Sequence, residues 1–136
     1  MSNYKNVSKR FFLSLCFAYF VYAENAAPDF VNIMLNFEKE MNLIQEAFLK
    51  NSQTLVEVRQ RRLKKLSNQL KEIPTSFYLD KKTRKFQNLI DLRVMRMDEE
   101  LEAMGKALKR KDIDFAFQNY LNILNECNSC HILFHR

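Results

Sequence analysis

Cys127 and Cys130 stand three residues apart near the C-terminus, and His131 follows directly. Cys-x-x-Cys-His is the attachment sequence for c-type haem. Each thiol adds its S–H across one vinyl group of the porphyrin, and the adjacent imidazole reaches the iron from the same side. The ring dictates the spacing. Two other uses of the thiols fit the surroundings less well. A redox Cys-x-x-Cys opens a helix after a strand, where the dipole lowers the thiol pKa, whereas this pair lies near the end of an expected helix in a chain with no expected strand. A structural zinc site needs a fourth ligand, and only His135 is left to supply it. His135 reads instead as a cation complementing a helix C-terminus. No nucleophile with its base and no phosphate loop accompanies these residues. Asp98, Glu99, Glu100 and Glu102 read as a solvated charge run, so an enzyme is not expected.

A haem held near the end of the last helix meets whichever helix begins at the same level, and in an antiparallel bundle that is the first. Met34 lies five residues beyond Asp29 and His131 five before the chain end. At about 1.5 Å rise per residue the two fall at similar height, with Phe37 about 4.5 Å and Met41 roughly 10 Å further along. Met34 is therefore the expected second iron ligand beside His131, and Phe37 an expected neighbour of the ring. A thioether is a soft neutral ligand that favours ferrous iron, so this pair implies a low-spin carrier with a raised potential. The alternative is Met34 as packing over a vacant iron position.

These residues need helices to hold them. The chain has 136 residues, 47% hydrophobic and 28% charged, with Gly 1, Pro 2 and Trp 0. So little glycine and proline excludes a sheet with its tight corners and leaves long stretches without a helix breaker. Apolar residues then recur three and four apart in four stretches. Phe30, Met34, Phe37, Met41, Ile44 and Phe48 mark the first, opened by Pro28 and Asp29 and ended by Asn51 and Ser52. Val56, Leu63, Leu66, Leu70 and Ile73 mark the second, with Thr54 and Glu57 as an expected capping box and Pro74 closing it. After a loop at 75–79, Asp80 is the expected N-cap of a third helix with Phe86, Ile90, Val94, Met97, Leu101, Met104 and Leu108 on one face. The short turn Arg110-Lys111-Asp112 sends a fourth helix back, capped by Asp112, with Ile113, Phe117, Tyr120, Leu124, Cys127, His131 and Phe134 expected on its buried face. The expected fold is all-α, an antiparallel up-down-up-down four-helix bundle, with a three-helix reading as the alternative.

Ahead of that unit, residues 1–10 are polar and basic, and Phe11 to Ala23 are apolar apart from Ser14. This pattern predicts a secretory signal at 1–23, cleaved after Ala23, and a haem domain at 24–136. The stretch falls short of the roughly 20 apolar residues of a membrane span, and an uncleaved anchor is the alternative. Cleavage removes Cys16. Export to the periplasm agrees with the motif, because covalent haem attachment in bacteria occurs outside the cytoplasm.

The motif at the extreme end of a four-helix chain, Cys127-Asn128-Ser129-Cys130-His131-Ile132-Leu133-Phe134, resembles the cytochrome c′ superfamily of class II cytochromes c, which is related to the soluble four-helix cytochrome b. In that family an aromatic, here Phe134, stands third after the haem histidine. The segment 32–47 is similar to the ligand helix of the cytochrome b member, with Met34 on its methionine ligand. The resemblance implies a single haem c, electron transfer, and His131 and Met34 at the iron. Two departures stand out. His135 occupies the position where members usually carry arginine, and Phe30 occupies the position one turn before the distal residue where gas-binding members often carry arginine. A five-coordinate protein binding nitric oxide or carbon monoxide beneath Met34 and Phe37 is the second reading. An exported bundle without cofactor, acting as an interaction protein, is the third.

The formal net charge is +6, but Lys5, Lys9 and Arg10 precede every acidic residue. From Glu24 onward 19 of the 22 Lys and Arg face all 16 acidic residues, too balanced a distribution for nucleic acid. Expected partners are haem, redox proteins and a second copy in a homodimer. The run Arg59, Arg61, Arg62, Lys64 and Lys65 is the candidate docking site for an acidic redox partner, against its reading as a solvated helix face.

Overall fold

A computed structural model describes residues 29–134, all of whose regular structure is helical. The signal at 1–23, its Cys16, the first turn at Pro28 and the terminal His135 lie outside the described residues. Four long helices form a bundle: α1 at 29–49, α2 at Gln53–Glu72, α3 at Gln87–Lys109 and α4 at Ile113–Phe134. Short 3₁₀ turns at Thr75–Phe77 and Arg84–Phe86 lie between α2 and α3. Among the described residues no helix is long and apolar enough to cross a membrane.

The tight turns use Asn51 and Lys111 at φ 51° and 60°, a left-handed conformation that asparagine tolerates well and lysine less so. The single glycine serves a different purpose. Gly105 lies inside α3, where Gln60 of α2 donates from Nε2 to the Leu101 carbonyl at 2.8 Å. A Cβ at Gly105 would stand 2.8 Å from that nitrogen, so the missing side chain makes room for a buried bond between helices.

One core joins all four helices. Phe37, Met41 and Ile44 of α1 meet Val56, Leu63 and Leu70 of α2, Leu101 and Met104 of α3, and Ala116, Tyr120 and Ile123 of α4. The expected faces of α1, α2 and α3 are the ones that pack, with Gln60 and Ser67 completing the buried face of α2. The fourth helix departs from expectation. Its buried residues are Ala116, Asn119, Tyr120, Ile123 and Leu133, while Phe117, Leu124, His131 and Phe134 are exposed. Counting only large apolar residues misplaced the face. Ala107 and Ala116 are fully buried, and such small residues let α3 and α4 approach closely, which turns the larger side chains to the flank.

Caps differ as well. Asp112 accepts from the Phe115 N–H at 3.1 Å and caps α4 as expected. The capping box of Thr54 and Glu57 does not form; Ser52 is the N-cap, and Gln53 Nε2 donates to Glu57. Asp80 does not open α3, which starts seven residues later at Gln87. Its carboxylate instead accepts from both the backbone N–H and the hydroxyl of Thr83 at 2.7 Å, capping the turn that precedes the helix.

The helices are also tied by charge. Glu40, 7% exposed, receives Arg59 at 3.2 Å and Arg62 at 3.3 Å. Asp98 accepts from Lys64 at 2.7 Å, Lys71 at 2.6 Å and Ser67 at 2.7 Å. Burial alone would raise its pKa, but the bonds from Lys64, Lys71 and Ser67 outweigh burial and lower it to about 2. A carboxylate lowered on folding contributes stability above its unfolded pKa and loses it as protons bind. Between about pH 4 and pH 2 the bundle is therefore expected to lose stability through Asp98. In urea titrations the D98N variant should be less stable than wild type at neutral pH, and the gap should narrow across that window. A gap that stays constant down to pH 2 would contradict this role.

Candidate haem-attachment site

Cys127 and Cys130 lie in the last turns of α4 as free thiols, both half-buried. With about 100° of rotation per residue, Cys130 and His131 fall roughly 60° and 40° to either side of Cys127. Three donors thus share one arc of a single helix. Cys127 packs against the main core, and Cys130 lies within electrostatic range of Tyr78 and Arg93.

His131 is exposed. It lies on the flank of α4 that also carries Leu124 and Phe117, and the Phe117 ring meets Phe48 of α1 edge-on with centroids 5.2 Å apart. This flank therefore looks toward α1. Met34 of α1 is half-buried and packs against the same core as Cys127, and Phe37 is buried within that core. Phe30, one turn before Met34, stacks on Tyr78 with ring centroids 4.0 Å apart. Since Tyr78 also packs against the cluster of Leu79, Ile90 and Leu133, the start of α1 and the end of α4 meet at one end of the bundle. Leu133 seals that end against Leu79 and Ile90.

The electrostatics are those of inert thiols. Burial pushes both Cys127 and Cys130 up to about 11, with Arg93 only partly offsetting the effect at Cys130. At neutral pH each keeps its proton, which is unsuited to thiol–disulfide exchange. Among the described residues no three His, Cys, Asp or Glu side chains converge as a metal-binding group.

Three residues not singled out in the sequence surround the motif. Tyr78 reaches it from the α2–α3 connection. Arg93 of α3 donates to Glu126 of α4 at 3.0 Å, joining the two helices just before the first cysteine. The Arg93 Nε is buried and has no acceptor. Such long-range partners leave no periodic signal in a sequence. Two thiols with an adjacent imidazole are the donor set of covalent attachment, so the residues present fit the group. A cleft of about 380 Å³ opens elsewhere, between α2, α3 and the turn at 75–77, and none of the four expected ligand residues borders it.

The candidate docking run on α2 is largely engaged within the bundle. Arg59 and Arg62 pair with Glu40, and Lys64 pairs with Asp98 and Glu102 at 3.3 Å. Comparison with protein-family models, with curated proteins and with solved structures found no match for this chain.

Proposed function

We propose that the chain is an exported c-type cytochrome that transfers electrons through one haem, bound covalently by Cys127 and Cys130 and ligated by His131 and Met34. The observation that carries this reading is two free thiols and an imidazole on one arc at the end of a bundle helix. Addition of an S–H to a vinyl group forms the carbon–sulfur bond and delivers the proton to the neighbouring carbon. It needs no oxidant or reductant.

The bundle is read as antiparallel, up-down-up-down. Support comes from contacts in reverse order: Gln53, Gln60 and Lys64 of α2 bond in turn to Leu108, Leu101 and Asp98 of α3. In an antiparallel α1 and α4 touching at Phe48 and Phe117, Met34 lies two heptads back along α1 and His131 two heptads on along α4. Both are about 21 Å from the contact, on the same side of it. This equal height supports Met34 as the partner of His131.

The bound haem supplies the one-electron couple. The chain supplies the rest. The thiols would anchor the ring to α4, and the imidazole of His131 and the thioether of Met34 would hold the iron. Phe37 and the core would keep water from one side. Met34→Ala is expected to convert a low-spin ferric absorption spectrum to a high-spin one and to lose the thioether band at the red end. A spectrum unchanged by the substitution would remove Met34 from the iron. The packing of Met34 and Phe37 in the core favours, as a second reading, a five-coordinate iron that binds nitric oxide or carbon monoxide. Rapid carbon monoxide binding by the wild-type ferrous protein would select that reading.

A further inference from the structure

Four exposed cations gather in one connection at the end of the bundle that carries the motif. Arg59, Arg62, Lys64, Lys71 and Arg93 all pair with carboxylates across helices. Lys81, Lys82, Arg84 and Lys85 are exposed within five residues of the α2–α3 connection. The loop's own acid, Asp80, is turned onto Thr83. Beside these cations Phe77 is 65% exposed, although its neighbours Thr75 and Leu79 are buried.

We propose that this connection, residues 77–86, is a docking face for an anionic lipid surface. A plane of phosphates accepts four clustered cations without requiring a matching arrangement of carboxylates, and its interfacial zone takes an exposed aromatic ring. An acidic protein would satisfy the cations but leave Phe77 to be matched separately. The course of the chain agrees. The stacking of Phe30 on Tyr78 sets the start of α1 beside the loop, and only residues 24–28 separate residue 29 from the apolar stretch ending at Ala23. Five residues span at most about 18 Å, so while that stretch is attached and held in a bilayer, the loop is kept near the bilayer surface. At the other end, Lys109, Arg110 and Lys111 form a second exposed basic run, beside Asp112 and Asp114.

The test is co-sedimentation of the full chain with vesicles of phosphatidylcholine alone and of phosphatidylcholine mixed equally with phosphatidylglycerol. The readout is the ratio of the two partition coefficients, which cancels what apolar residues contribute to both. Neutralising the loop in K81Q/K82Q/R84Q/K85Q is expected to lower this ratio by several hundredfold, since each cation near such a surface contributes about fivefold. The K109Q/R110Q/K111Q variant should change it by less than about threefold. All seven side chains are exposed, and circular dichroism checks that both variants keep the wild-type fold. Equal losses in the two variants, or a ratio insensitive to the loop, would overturn the proposal. So would wild-type binding to polyglutamate with no preference for the anionic vesicles. The assay does not depend on haem, so its failure is separable from failure of the cytochrome reading.

Discussion

A C127A/C130A variant, produced in cells that mature c-type haem, is expected to retain no haem after acid–acetone extraction, while wild type keeps its colour through the same treatment. The effect is all-or-none because no other thiol remains in the described residues to form the bond. The fold should survive. Alanine is the best helix former, and the two positions are half-buried rather than fully enclosed. Far-ultraviolet circular dichroism with retained helical content separates loss of attachment from loss of structure. A variant that keeps its pigment through extraction would contradict the assignment of both thiols.

Leu101→Ala is expected to cause the largest loss of stability from a single substitution. Leu101 is fully buried in the middle of α3, where residues from all four helices meet. Truncating such a leucine removes apolar burial and leaves a cavity, together about 2–5 kcal/mol. Against a typical total of roughly 5–15 kcal/mol, that is a large share of what holds the bundle. The Gln60 bond to the Leu101 backbone carbonyl persists in the variant, so the loss reports packing alone. A urea midpoint that falls with an unchanged slope would fit, whereas a change below about 1 kcal/mol would contradict Leu101 as the centre of the core.

Much of the fold was legible because its signals are local and repeat. Helix periodicity located the packed faces of α1, α2 and α3, and Asp112 announced the start of α4. The misread parts depend on neighbours. Ala116 is fully buried in the core that α3 and α4 share, a property of several helices together and invisible in either stripe. The start of α3 moved to Gln87 because Asp80 bonds Thr83 and Phe86 packs with Tyr78, Leu79 and Ile90, a competition no propensity encodes. The polar bridge from Gln60 to Leu101 gives Gly105 a purpose that composition alone assigned to turns.

The candidate site divides in the same way. Cys127, Cys130 and His131 are adjacent in sequence, and their spacing alone puts them on one arc of a helix. Met34 is matched to His131 by counting helical rise from two chain ends, and the structure adds that Met34 and Cys127 pack against one core. Arg93 and Tyr78 were beyond reach, since they come from α3 and from an irregular connection. The same holds for the basic run on α2, whose charges look free in sequence until Glu40 and Asp98 are brought against them.

The central claim is most directly tested by intact-protein mass spectrometry of the chain purified from cells competent to attach c-type haem. The account predicts a polypeptide heavier by the mass of one haem, with the increment mapped by proteolysis to the peptide containing Cys127 and Cys130. A polypeptide of unmodified mass, recovered from cells that load a control cytochrome in the same culture, would contradict it.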